Sequence, residues 1–256
     1  MEQFKTSDAD KVSLQFKYFH FVATLFVLSF VISNLLASKI AAIGYFDFPA
    51  GMVTFPLSYI FSDILTEVYG FQRARQLLWF TIFCELFVII SIIFAVNLPS
   101  ASFWHGQVQY ENTLYPQLKI IFASCVAYFF GDYVNTKFLS KQKLKYGNSF
   151  IIGRFIGSTA LGVLVDNTIF TLLAYSSLFL TSNEITFDFI IWLILSQYII
   201  KVGYETLMSP FSVKFSNWLK IKEQVDIYDV NTNFSIFKIS VSETEHQNRF
   251  RDSNDS

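Results

Sequence analysis

The chain has 256 residues and a formal net charge of −1, with 53% hydrophobic, 19% aromatic and only 15% charged residues. Ordinary globular chains carry about 25% charged residues, and the mean hydropathy here is +0.42. Near-neutral charge leaves no basic face to displace counterions from nucleic acid. So much apolar surface calls for a lipid bilayer as its surroundings.

Residues 1–17 mix acids and bases, and no small-residue cleavage site follows the first apolar run. They read as a cytoplasmic N-terminal segment rather than a signal peptide. A helical crossing needs about 20 mostly apolar residues. Six stretches of a membrane domain at 18–213 qualify: 18–38, 48–69, 76–98, 117–139, 150–180 and 186–213. Lipid satisfies no exposed backbone group, which restricts spans to helices or closed barrels. Continuous apolar runs such as Leu86 to Val96 lack a barrel's alternation. The expected fold is all-α, a polytopic bundle of about six transmembrane helices.

Pro49, Pro99 and Pro116 read as span ends, and Pro56 and Pro210 as kinks within spans. Cys84 and Cys125 lie in apolar runs and read as core thiols. The segment 214–256 is a polar cytoplasmic tail, expected to be disordered toward its NRFRDSNDS end.

Loop charges orient the bundle. Lys5, Lys11 and Lys17 precede the first span, and Arg73 and Arg75 fill the second connection. Lys137, Lys141, Lys143 and Lys145 fill the fourth, and Lys214, Lys220 and Lys222 follow the last span. The opposite loops at 97–117 and 181–188 contain neither Lys nor Arg, with Lys39 the exception on that side. Under the positive-inside rule both termini are cytoplasmic, in a multi-pass inner-membrane protein.

The second span, FPLSYIFSDILTEVYG (Phe55 to Gly70), breaks the apolar pattern. Asp63 and Glu67 lie one turn apart on one helical face, and Tyr59 extends that face. Intramembrane charges cost several kcal/mol or more unless they meet a partner or a water-filled cavity, so they mark functional sites by default.

Other spans carry polar stripes too. Asn34 and Ser38 lie in the first, and Thr81 and Glu85 in the third. Ser124, Tyr128, Asp132 and Thr136 lie in the fourth, with Asn135 alongside. The fifth has Arg154, Ser158, Gly162 and Asp166, and the sixth Gln197, Lys201, Glu205 and Ser209. Blander readings exist. Ser, Thr and Gly at this spacing pack helices, Asp132 near a span end suits solvation, Arg154 suits snorkelling, and Lys201 with Glu205 suits a structural pair. The buried acids find only Lys39, Arg154 and Lys201 as cations, so some acids are expected to hold protons. A carboxylate-rich interior suits a ligand rich in N–H donors, with Tyr59, Phe61, Tyr69 and Tyr128 as walls for a planar ring. The candidate substrate-binding set is Asn34, Tyr59, Asp63, Glu67, Glu85, Asp132, Arg154, Asp166, Lys201 and Glu205.

Enzyme readings gain little. His20, His105 and His246 are scattered, and no HExxH, phosphate loop or nucleophile elbow occurs. No catalytic residue, metal or cofactor is called for.

Five blocks carry a family resemblance: ISNLLASKI (Ile32 to Ile40), FPLSYIFSDILTEVYGFQRAR (Phe55 to Arg75), RFIGSTALGVLVDNTIF (Arg154 to Phe170), KVGYETLMSP (Lys201 to Pro210) and KEQVDIYDVNTNF (Lys222 to Phe234). Through them the sequence resembles the queuosine precursor transporters, six-helix bacterial membrane proteins of the vitamin-uptake type. SDILTEVYG is the most specific block, and the first 30 or so residues and the tail after Phe234 match nothing. The resemblance implies a fold similar to the substrate-binding components of energy-coupling-factor importers. It also implies a small nucleobase cargo, 7-deazaguanine bases or queuine salvaged for tRNA queuosine. Another nucleobase or vitamin keeps the same stripes with a different ligand. Independent transport, a homo-oligomer and a substrate-binding subunit with an energising partner all stay open. No ATP-binding motif occurs here.

Overall fold

The computed structural model describes residues 16–44, 46–181, 187–230, 232–237 and 247–248. Helix α1 (Phe19–Leu36) leads into an antiparallel hairpin, β1 (Ile40–Ile43) and β2 (Phe46–Pro49), with Ile40 opposite Pro49 and Ile43 opposite Phe46. A 3-10 turn at Ala50–Val53 precedes α2 (Phe55–Tyr69). Then come α3 (Phe71–Asn97), α4 (Gln107–Tyr146), α5 (Ile151–Thr181) and α6 (Phe187–Glu223). Two-residue strands β3 (Ile227–Tyr228) and β4 (Gln247–Asn248) pair beyond α6. The fold is an all-α bundle of six helices.

Among the described residues, five helices are long and apolar enough to cross a bilayer: α1, α3, α4, α5 and α6. The second expected span is built differently. At 15 residues, α2 is about 22 Å long, short of a hydrocarbon core of about 30 Å. The hairpin and 3-10 turn lead directly into α2, and Ser33 Oγ on α1 donates to the Gly51 carbonyl at 2.9 Å.

Boundaries and prolines also differ from expectation. Helix α4 runs from Gln107 to Tyr146 with Pro116 inside it rather than at its end. Pro56 occupies the first turn of α2, where the missing N–H costs no helical bond. The expected domain edge at 213 falls inside α6, which continues to Glu223.

The packing places polar atoms inside and oil outside. Thirteen of the 15 residues of α2 are buried. Val22, Phe26 and Phe30 of α1, Tyr128 of α4 and Val163 of α5 pack around its Tyr59, Ile60 and Ile64. Helix α3 instead exposes Phe80, Phe83, Phe87, Ile90 and Phe94 while burying Thr81 and Glu85, the inverse of a soluble helix. Cys84 and Cys125 are free thiols, Cys84 only half-buried.

Gly70 and Gly131 lie at two of the close approaches. Gly70 links α2 to α3 at φ +85°, and a Cβ there would sit 2.8 Å from Ile227 Cγ2. At the α4–α5 contact a Cβ on Gly131 would meet Asp166 Cβ and Tyr59 Oη at 2.7 Å and the Gly162 carbonyl at 2.9 Å. Gly131→Ala is therefore expected to force α4 and α5 apart and to cost about 1–3 kcal/mol. Gly203→Ala, with nothing within 4 Å, should leave thermal unfolding in detergent unchanged or slightly later. Equal melting of both variants would contradict this packing.

Candidate functional site

Helix periodicity aligns polar faces within each span, and the fold stacks them into three levels. The level at the basic-loop end centres on Glu67, which is fully buried. Arg154 Nη2 donates to its Oε1 at 3.1 Å and Nη1 lies 3.1 Å from Oε2. Lys220 Nζ donates to Oε1 at 2.7 Å. Lys143 Nζ donates to the Glu67 main-chain carbonyl and to Asp226 Oδ1 at 2.6 Å. Lys220 also pairs with Asp226 at 3.0 Å. Sequence reasoning missed Lys143, Lys220 and Asp226 because all three looked like loop or tail charges.

The segment after α6 straps this end of the bundle. Asp229 accepts the Phe71 N–H at 3.0 and 3.2 Å, capping α3, and the Ser140 hydroxyl at 2.6 Å. Arg75 donates to the carbonyls of Asn233 and Ser235, Trp79 to that of Ile236 at 3.0 Å, and Tyr133 to that of Phe234 at 2.7 Å. The first part of the tail, read from sequence only as polar, is tied to α3 and α4 by these bonds. The NRFRDSNDS end lies almost wholly outside the described residues. Glu223 joins the other terminus, accepting the Lys17 and Tyr18 amides at 2.9 and 2.5 Å.

The middle level holds four acids on four helices: Asp63, Asp132, Asp166 and Glu205. Asp63 accepts from Asn135 at 2.6 Å and Thr159 at 3.3 Å. Asp132 accepts from Ser62 at 2.5 Å and Tyr128 at 3.3 Å. Asp132 is only 1% exposed and Arg154 3%, so neither is solvated nor snorkelling. Lys201 reaches across to α5, donating to Asp166 at 2.7 Å and Asn167 at 2.6 Å. It does not pair with Glu205, whose two oxygens lack partners among the described residues. The ring of Tyr59 meets that of Tyr128 edge-on at 5.4 Å.

The third level lies toward the hairpin. Asn34 donates to Glu85 at 2.7 Å, and Gln117 donates to the Asn34 carbonyl. A narrow cleft opens here, lined by Asn34, Phe55, Ser124, Asp166, Gln197 and Lys201, with Phe170 and Met52 beside them. Its volume is about 30 Å³, room for one water. A bicyclic base enters only after side chains move.

The structure thus brings Asn34, Asp166 and Lys201 to one cleft and places Tyr59, Asp63, Asp132 and Glu205 outside its lining. Glu67 and Arg154 belong to the ion cluster, and Glu85 hydrogen-bonds Asn34. Asp63, Glu67 and Glu85, read together in the sequence, lie on three different levels. Lys39 is exposed and offsets no buried acid. The expected aromatic walls also differ: Phe55 and Phe170 line the cleft, while Tyr69 packs against Phe16 and Phe19.

Cross-helix ion pairs inside an apolar outer shell, with a narrow cleft beside them, define a polytopic membrane protein with a polar interior. The chain belongs to the family described as "Putative vitamin uptake transporter", which matches residues 49–215, well over half its length. No curated protein and no solved structure matches it. Membership points away from enzymatic activity and implies a small-molecule substrate moved across a lipid bilayer.

Asp226 lies beyond the last span. Burial raises its carboxyl, but the Lys143 and Lys220 ammonium groups outweigh that and hold it below the usual range. A depressed carboxyl contributes stability above its unfolded pKa of about 3.9 and loses it as pH falls through the folded value. Asp226→Asn is expected to cost about 3 kcal/mol at neutral pH, the deficit shrinking below about pH 4 as the wild-type acid also becomes neutral. Thermal unfolding across pH checks this; wild-type melting of the variant at pH 7 would contradict it.

Proposed function

We propose that the protein imports queuosine precursors, 7-deazaguanine bases or queuine, across the inner membrane. The observation that carries this reading is the Asp166–Lys201 pair at the cleft beside Phe55 and Phe170. A deazaguanine presents a ring N–H and an exocyclic amine on one edge, with a carbonyl oxygen adjoining. A carboxylate accepts the two donors side by side, and the neighbouring ammonium donates to the carbonyl. Asn34, Ser124 and Gln197 supply further neutral partners, and the phenyl rings suit a flat bicycle. The five sequence blocks support the same cargo, and the family match supports small-molecule uptake in general.

The basic-loop end is taken as cytoplasmic, which makes the cleft face outward and the Glu67 cluster an inner latch. In this state the latch is closed and the cleft too small for substrate. Transport therefore needs the outer side chains to part and the ion cluster to break in turn. A cysteine at Gln109 should then react with impermeant reagents added outside the cell.

The functional test uses cells lacking both queuosine synthesis and their own importer. Wild-type protein should restore uptake of labelled 7-deazaguanine. Asp166→Asn should reduce it about 10–100-fold per molecule of folded membrane protein, the loss of a charge-assisted hydrogen bond of about 1.5–3 kcal/mol. Absence of deazaguanine uptake with uptake of another base or vitamin would replace the cargo and keep the transporter.

A further inference from the structure

Most polar groups around the cleft are already committed to one another. Asn34 donates to Glu85, and its carbonyl accepts from Gln117. Ser33 donates to the Gly51 carbonyl, and Lys201 to Asp166 and Asn167. Gln197 is the exception. It lines the same cleft and is only 2% exposed. Among the described residues, its Nε2 is the one buried side-chain polar atom of the lining that has no partner. Asn167, Thr171 and Glu205 also carry unpartnered atoms, but none of the three lines the cleft. Buried donors in native proteins nearly always have an acceptor. An orphan donor on the wall of a cleft is one that a ligand can satisfy.

The position of Gln197 says which part of a ligand it meets. Gln197 and Lys201 are four residues apart on α6, which puts them on one face about 6 Å apart along the axis. Asp166 joins them from α5, bonded to Lys201 at 2.7 Å. The three side chains therefore reach neighbouring parts of one flat ligand. A deazaguanine held by Lys201 at its carbonyl, and by Asp166 at its ring N–H and exocyclic amine, has one edge left. Next to the amine come ring N3, an acceptor, and N9–H, a donor. A carboxamide carries a donor and an acceptor side by side and pairs such an edge through two bonds, as Asn and Gln pair with adenine.

We propose that Gln197 is the specificity-determining residue of the cleft, its carboxamide reading the N3 and N9–H edge so that the free base is admitted and its nucleoside rejected. A sugar on N9 removes the hydrogen that the Gln197 carbonyl accepts and sets a pentose where the carboxamide lies. Discrimination by a buried polar group that would be left unpaired is strong, because the wrong ligand forfeits the bond and still buries the group. This inference deepens the reading of the Asp166–Lys201 cleft as a deazaguanine site and rests on it.

The test uses the purified full chain in detergent, with one readout that needs no ligand and one that does. Without ligand, Gln197→Met should melt at or above the wild-type temperature, because it removes an unsatisfied buried donor at similar volume. Melting several degrees lower would show that Gln197 holds the fold, and would overturn the inference. In equilibrium binding, the wild type should prefer 7-deazaguanine over its 9-methyl derivative by about tenfold or more. Gln197→Met should weaken binding of the free base by about 10–100-fold. Gln197→Ala, which also clears space, should bind the two compounds about equally. Equal binding of both by the wild type, or a preference undiminished in Gln197→Ala, would overturn the role of Gln197 and leave the cargo standing. Failure of the wild type to bind 7-deazaguanine at all would overturn the cargo, and this inference with it.

Discussion

A charge within a bilayer must be neutralised by the protein itself, and this constraint organises the whole bundle. Glu67 is buried to zero exposure on the short central helix α2. It draws Arg154 from α5 and Lys220 from α6 into contact, while Lys143 from α4 bonds its main chain. Removing the Glu67 carboxylate leaves the Arg154 guanidinium buried without the acid it pairs with, which costs about 3–5 kcal/mol. The cluster therefore fixes how four helices meet at one end, and Asp226 extends it to the strap after α6.

Helix α2 can be this short because it scarcely meets lipid. Its neighbours wrap it on all sides, and the hairpin and 3-10 turn bring the chain to its first residue. The price is close packing, seen where α4 and α5 meet beside Tyr59 with no space for a Cβ at Gly131. The result is a closely packed polar interior with a narrow opening beside Lys201 and Asp166. Unpaired acids in such an interior are conspicuous beside Glu67 and Asp166, which are matched by cations from other helices.

Much of this was legible in the sequence. Asp63 and Glu67 one turn apart in an apolar span implied a face turned away from lipid, and both are fully buried. The stripe Ser124, Tyr128, Asp132 and Thr136 is buried in α4 as its spacing implied. Which acid meets which cation was not legible, since spacing fixes the face of a helix but not its height against a neighbour. Lys201 and Glu205 share a face, yet Lys201 reaches across to Asp166. Lys143 and Lys220 sit near span ends, where the sequence pattern of a solvated loop lysine is the same as that of a buried latch. The strap was hidden for a related reason: Asp229 and Asn233 look polar and solvated until α3 offers its free amides and Arg75.

The central claim is that charges are paired between helices. The most direct measurement is a double-mutant cycle on Lys201 and Asp166, read by thermal unfolding in one membrane mimetic. Lys201→Met and Asp166→Asn each strand a buried partner, and the double variant strands neither. The account predicts that the double loses less stability than the two singles summed, by a coupling of about 0.5–3 kcal/mol. Strictly additive losses would show that the two side chains do not meet and would contradict the account.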